Sequence, residues 1–260
     1  MTRHTTQIGG ISTAYLDEGQ GIPIVAVHGI PTASTLFKPL LPYLDGCRLI
    51  APDLLGQGHT ETPAAGSLGF AAYERHFRAF MEAVPPPQFN LLVHDYGGIL
   101  GLNWLVEHPA RVQHLIILST TAVWTWRWEL ALRFIFLGNL LLGTRFIRWG
   151  FQTSLRQPKN LSAADLNEWV APWNRRRVLR GVDHFAKIHV DRVSARLGEI
   201  TIPTLILWGQ QDNIFPLSHA APIQNRLPHA ELVTIENCGH WSPVDAPKVV
   251  GSHIARFLTD

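Results

Sequence analysis

The chain has 260 residues, 46% of them apolar and 16% charged, with a net charge of +2 and only two cysteines. These values describe an ordinary globular protein. They exclude a disordered chain, a disulfide-framed scaffold and a general electrostatic bias toward nucleic acid. The first ten residues hold no apolar run of the kind a secretory signal needs, so a cytoplasmic protein is expected.

Residues 6–18 form two short segments around Gly9-Gly10, the pattern of a hairpin. Residues 24–27 are continuously apolar, as in a strand covered on both faces, and the run stops at His28-Gly29-Ile30-Pro31. A helical stretch over 37–44 leads to a strand at 47–51, which ends in the turn-rich loop Asp53-Leu54-Leu55-Gly56-Gln57-Gly58-His59. Apolar residues at helical spacing over 70–84 are closed by Pro85-Pro86-Pro87. A strand then reads into Leu91-Leu92-Val93-His94-Asp95-Tyr96-Gly97-Gly98, followed by a helix over 99–107 and a strand over 114–119. This alternation predicts an α/β fold with a mostly parallel sheet and right-handed crossovers.

The alternation then stops. Between residues 123 and 191 only helical runs such as 129–142 and 163–170 are legible, before a strand at 203–208, a helix at 217–227, a strand at 231–235 and an amphipathic helix at 249–258. The expected organisation is a core over 1–122, a helical cap over 123–192 inserted after the sixth strand, and the rest of the core over 193–260. Six of the nine tryptophans, Trp124 and Trp126 among them, fall in the insertion, together with Arg175-Arg176-Arg177. Aromatic residues in that number suggest the lid of an apolar pocket, or else a filled interface between insertion and core. The apolar stretch 130–142 is broken by Arg133 and Asn139 and is too short to span a bilayer. Contact with a membrane surface is not expected.

The strand, sharp turn and helix around Asp95 have the layout of a nucleophile elbow, with an aspartate at the apex where a serine is common. A carboxylate there suits displacement at saturated carbon. The same residue could instead cap the next helix. Two later stretches favour chemistry. Asp212 follows the resumed strand in Trp208-Gly209-Gln210-Gln211-Asp212, and His240 follows the last strand in Cys238-Gly239-His240-Trp241. Nucleophile, acid and histidine in that order, each just after a strand, suggest Asp95 as nucleophile, His240 as base and Asp212 as its orienting partner. Backbone N–H groups of Ile30 and Tyr96 could converge on a developing oxyanion, in a loop stiffened by Pro31. No G-x-S-x-G occurs, and Ser119 lacks the glycine-rich turn that would expose it.

On these residues the chain resembles an α/β-hydrolase of the aspartate-nucleophile branch, the group that includes haloalkane dehalogenases and epoxide hydrolases. The resemblance covers essentially the whole length and rests on His28 to Ser34, Asp53 to Gly58, Val93 to Gly98, Asp212 and Gly239-His240. It implies an ester intermediate on Asp95 hydrolysed by a His240-activated water, a pocket touched by His28, Pro31, His94, Trp124, Trp126 and Trp241, a small apolar substrate, and no metal or organic cofactor. Epoxide hydrolases use cap tyrosines, whereas Tyr15, Tyr43, Tyr73 and Tyr96 all lie outside the expected cap. The loop at His28 looks more like that of dehalogenases, although Ile30 and Tyr96 stand where many of those have an asparagine and a tryptophan. A dehalogenase-like hydrolase is therefore the leading expectation. Epoxide or ester hydrolysis is the alternative, and a non-catalytic binding protein of the same fold is the reading from a different class.

Overall fold

The computed structural model describes residues 2–64, 68–122, 134, 137–173 and 187–259. Its centre is an eight-stranded sheet: β1 (Arg3–Ile8), β2 (Ile11–Gly19), β3 (Ile22–Val27), β4 (Cys47–Pro52), β5 (Phe89–His94), β6 (Val112–Leu118), β7 (Thr204–Gly209) and β8 (Ala230–Ile235), in the order β1-β2-β4-β3-β5-β6-β7-β8. Only β2 runs antiparallel to its neighbours; β4 through β8 are parallel.

The central strands read as continuous apolar runs because both faces are covered. Alternate residues feed two cores. Val25, Val27, Leu91, Val93, Leu115, Ile117, Ile206 and Trp208 face one side, where α1 (Phe70–Ala83), α2 (Tyr96–Leu105) and the helix Lys187–Arg196 pack. Ile24, Ala26, Leu92, Ile116, Leu118, Leu205 and Leu207 face the other, against the 3₁₀ segment Ser34–Tyr43, the helices Thr144–Ser154 and Ala163–Val170, and the C-terminal helix Pro247–Phe257. Each fully buried aliphatic side chain contributes about 1.5–3 kcal/mol of transfer free energy, so the pattern is strongly enforced. A one-residue slip would put every side chain on the wrong face.

Strand order also fixes where chemistry can occur. The chain leaves β3 toward β4 on one side and leaves β5 toward β6 on the other, so a crevice opens between the C-terminal ends of β3 and β5. Ile30 follows β3 and Asp95 follows β5.

The expected hairpin, core strands and late helices are present. The stretch read as a helix over 37–44 is 3₁₀, with Pro39 and Pro42 inside it. The expected 217–227 helix is a short 3₁₀ turn followed by the helix Ala220–Gln224. The cap boundary expected at residue 192 falls inside the helix Lys187–Arg196, whose Val190 and Val193 are buried in the core beside α2. That helix belongs to the core, because its apolar positions match the sheet-side layer. Trp124, Trp126, Trp128 and Arg175-Arg176-Arg177, with half of the expected helix 129–142, lie outside the described residues.

Candidate active site

Asp95 occupies the tip of the turn between β5 and α2 with φ 52° and ψ −125°. Such a left-handed backbone is costly for a residue with a Cβ and persists only where surrounding contacts over-determine it. Those contacts are present. The Asp95 N–H donates to Ser119 O (3.2 Å), and its carbonyl accepts from Gly98 N–H (2.9 Å) and from the Thr120 hydroxyl (2.7 Å). Gly97 lies so close to the Val27 and His28 carbonyl oxygens that a methyl group there would overlap both. Gly97→Ala is therefore expected to cost about 1–3 kcal/mol of stability. A denaturant midpoint equal to that of the parent would contradict this packing.

The Asp95 side chain does not cap α2; no cap hydrogen bond is formed. Its Oδ1 instead accepts from Ile30 N–H at 2.8 Å, and its Oδ2 lies 3.5 Å from His240 Nε2. The His240 Nδ1–H donates to Asp212 Oδ2 at 2.9 Å. Asp212 Oδ1 accepts from Ile214 N–H and Phe215 N–H, both at 2.8 Å. All three side chains are buried. The structure thus brings together Asp95, His240, Asp212 and Ile30, four residues read separately from the sequence. Tyr96 opens α2 directly after Asp95, so its N–H belongs to the positive end of that helix. Its ring turns into the core, edge-on to Phe70 and Tyr73.

Burial alone would depress the His240 imidazole, but the Asp212 carboxylate and then Asp95 outweigh it and raise the pKa to about 9. Burial likewise works against the charged Asp212, yet the His240 cation and the two backbone donors hold it below the usual carboxylate range. The two flanking carboxylates therefore favour the protonated form of His240, and a charge on Asp95 works against its acting as a base. Esterification of Asp95 removes that charge and makes His240 a base. Because the folded value lies above the unfolded ~6.5, protonated His240 stabilises the fold below that pH, and the contribution disappears as pH rises through about 9. In Asp95→Asn the imidazole is expected to titrate at lower pH, and the loss of thermal stability across that window should be shallower. An NMR titration with an unmoved His240 resonance would contradict the coupling.

The surrounding shell was only partly legible in the sequence. His28, expected near the pocket, is a brace. Its Nε2 accepts from Leu54 N–H (2.9 Å), which leaves Nδ1–H to donate to Gly29 O (2.8 Å). Both nitrogens are occupied by backbone, and burial lowers the pKa, keeping the ring neutral. Asp53 joins the same brace, accepting from Ser34 N–H and His59 N–H at 2.8 Å each. These bonds lock the β4 loop against the β3 loop and so aim Ile30 N–H. The Ile30-Pro31 peptide is cis, and both residues are half-buried beside the carboxylate.

His94 is fully buried; burial and the neighbouring His240 charge lower its pKa to about 4. As a neutral ring it donates from Nε2 to the His240 carbonyl at 3.1 Å. Trp241 packs edge-on to His240 and tilted against His94 and Phe151, but its indole N–H is donated to Ser154 Oγ at 2.7 Å. It supports the histidine loop from the side of the helix Thr144–Ser154. Asp245, not singled out in the sequence, holds the same loop by accepting from Gly239 N–H (2.9 Å) and from Arg156 and Gln157 N–H (2.8 and 2.9 Å). Its only sequence cue is an acid five residues after His240. Trp124 and Trp126 lie outside the described residues. Among the described residues no cluster of three or more His, Cys, Asp or Glu side chains has metal-ligating geometry.

The set can attack an electrophilic carbon from Asp95 Oδ2, stabilise negative charge on Oδ1 through Ile30 N–H, and supply an imidazole for proton transfer. Comparison with known proteins agrees with this architecture. A family model described as alpha/beta hydrolase fold matches residues 22–247. The chain is 31% identical to cis-3-alkyl-4-alkyloxetan-2-one decarboxylase of Shewanella oneidensis, covering 99% of this chain and 88% of the relative. It is 26% identical to 2-hydroxymuconate semialdehyde hydrolase of Pseudomonas putida, covering 96% and 92%. A haloalkane dehalogenase structure from Bradyrhizobium elkani superposes with a TM-score of 0.79 at 21% identity, covering 99% of this chain and 97% of that one, which is a likeness of fold. An eight-stranded sheet with one antiparallel strand near its edge, an acute elbow after β5 and a histidine loop after β8 make the chain a member of the α/β-hydrolase family.

Proposed function

We propose that this protein is a carboxylate-nucleophile enzyme that forms an ester between Asp95 and a saturated carbon of an apolar alkyl substrate, with a strained cyclic ester of the alkyl-oxetan-2-one class as the favoured substrate. The observation that carries it is Asp95 at the elbow apex, with Oδ1 held by Ile30 N–H and Oδ2 directed toward His240. Oδ2 attacks the ring carbon bonded to oxygen. The C–O bond breaks, and its electron pair leaves on the substrate's own carboxylate. Loss of carbon dioxide then forms the alkene while the ester oxygen departs with its pair, restoring Asp95. No water is consumed.

The choice of leaving group rests on two supports. Identity over nearly the whole chain is highest, of the relatives described above, with the oxetanone decarboxylase. A halide needs N–H donors, and among the described residues the Tyr96 ring is packed in the core while the Trp169, Trp208 and Trp241 indoles donate to Thr35, Phe215 and Ser154. Haloalkane hydrolysis is the second reading, favoured by the His28-Gly29-Ile30-Pro31 loop. In that case His240 deprotonates a water that adds to the ester carbonyl, Ile30 N–H holds the oxyanion, and collapse releases the alcohol. Epoxide opening is less supported, because no tyrosine falls in residues 123–192.

The test is to supply a short cis-3,4-dialkyl oxetan-2-one and, separately, a short bromoalkane, measuring alkene and bromide. Alkene from the lactone supports the favoured reading, and bromide without alkene transfers it to the second. Neither product, together with no adduct at Asp95, would overturn both.

A further inference from the structure

We propose that the exposed face formed by Phe134 and residues 137–149 docks the protein on an anionic phospholipid surface without crossing it. The sequence leaves such contact as the lesser reading of an apolar, basic insertion; the structure adds which residues are exposed there. Phe134, Leu137, Leu141, Leu142 and Trp149 are 59, 51, 58, 59 and 52% exposed. Rings join two of them, with Phe134 edge-on to Phe146 at 5.5 Å and Phe146 beside Trp149 at 5.7 Å, and Leu137, Leu141 and Leu142 lie between these rings in the chain. An apolar patch of this kind on a soluble fold marks an interaction surface.

Charge identifies the partner. From Leu137 through Ala164 the sequence carries Arg145, Arg148, Arg156 and Lys159 and no Asp or Glu. Arg145 and Trp149 stand one helical turn apart on the exposed side of the helix Thr144–Ser154, whose other side buries Ile147, Phe151 and Ser154. Arg145 and Lys159 have no carboxylate partner among the described residues, and Arg148 donates to the neutral Asn167 amide. A second copy of the same face would set these cations against one another, which disfavours a symmetric dimer. Exposed Trp, Phe and Leu beside unpaired arginines are instead the composition of an element lying in the bilayer interface, its rings among the acyl boundary and its cations at the headgroups. No helix among the described residues is long and apolar enough to cross a membrane. The buried face of the same helix meets Trp241, next to His240, so docking would orient the cap directly above the candidate active site.

The experiment is vesicle co-sedimentation of the full chain with phosphatidylcholine alone and with an equimolar mixture of phosphatidylcholine and phosphatidylglycerol. Binding is expected only to the anionic vesicles and should fall as salt rises. Arg145→Glu should weaken it at least about tenfold, and Leu141→Ser with Leu142→Ser should do the same. Brominated phosphatidylglycerol should quench part of the tryptophan emission in the parent, and this part should be lost in Trp149→Phe. All four positions are solvent-facing, so the variants keep the parent's melting temperature. Equal sedimentation with neutral and anionic vesicles, or binding unaffected by these variants, would overturn the proposal. Two further outcomes would also reject a lipid surface: dimerisation abolished by Leu141→Ser with Leu142→Ser would assign the face to a second copy, and binding to polyglutamate but not to vesicles would assign it to an acidic protein.

Discussion

Asp95→Asn should reduce turnover by roughly ten-thousandfold or more, the scale seen when a covalent nucleophile is removed, while the protein stays folded. The amide oxygen of Asn can still accept from Ile30 N–H, and the volume is almost unchanged, so the elbow contacts from Ser119, Gly98 and Thr120 persist. What is lost is the negative charge on the oxygen facing His240, and with it the ability to displace a leaving group from saturated carbon. The effect should appear in the first step: no ester forms on residue 95 in a single turnover followed by intact-protein mass spectrometry. Retention of about a hundredth of the activity by a folded Asp95→Asn variant would remove the aspartate from the role of nucleophile.

His240→Gln should separate the two candidate reactions. For a bromoalkane, ester formation depends on Asp95 and continues, but hydrolysis of the ester loses its base and slows by about 10²–10⁴-fold. The alkyl ester then accumulates, visible as an added mass that digestion locates at Asp95. For an oxetanone, the ester decomposes by losing carbon dioxide, with no water to activate, so alkene formation should fall far less and no adduct should accumulate. An equal, complete loss with both substrates and no adduct with either would mean that His240 is needed before the first bond forms. That would contradict the order of events inferred from its raised pKa. The raised pKa of His240 beside Asp95 and Asp212 is the physical reason for expecting a late role: loss of the Asp95 charge on ester formation removes one of the groups that raise it and frees the ring to act as a base.

The same geometry shows why the braces around the site matter to rate and not only to stability. Ile30 N–H reaches Asp95 because His28 and Asp53 tie two loops that approach each other across the sheet edge. Gly29 permits the approach, since a side chain there would overlap the Asp95 carboxylate. On the other flank, Asp245 and Ser154 fix the backbone and ring next to His240. Small displacements in either brace would move a donor or a base relative to the reacting atoms, and rate is steeply sensitive to such shifts.

Local pattern was sufficient for the succession of strands along the chain, the mostly parallel sheet, and the placement of Asp95, Asp212 and His240 at strand ends. These depend on short-range physics: the two-residue period of a pleated strand, the 3.6-residue period of a helix, and the few residue types that turns accept. Other features required the tertiary structure. The ring nitrogens of His28 could as well have faced a ligand; only the approach of Leu54, 26 positions away, occupies one of them. The Trp241 indole N–H became a structural donor because Ser154, 87 positions away, lies within reach. Tyr96 turned its ring into the core because Phe70 and Tyr73 supply an apolar slot there. The helix Lys187–Arg196 joined the core because its Val190 and Val193 meet α2, and the exposure of Phe134, Leu137, Leu141 and Leu142 was visible only in the packing. A polar or apolar side chain states what kind of partner it needs, whereas which partner it meets is decided by the approach of segments far apart in the chain, and no local period encodes that approach.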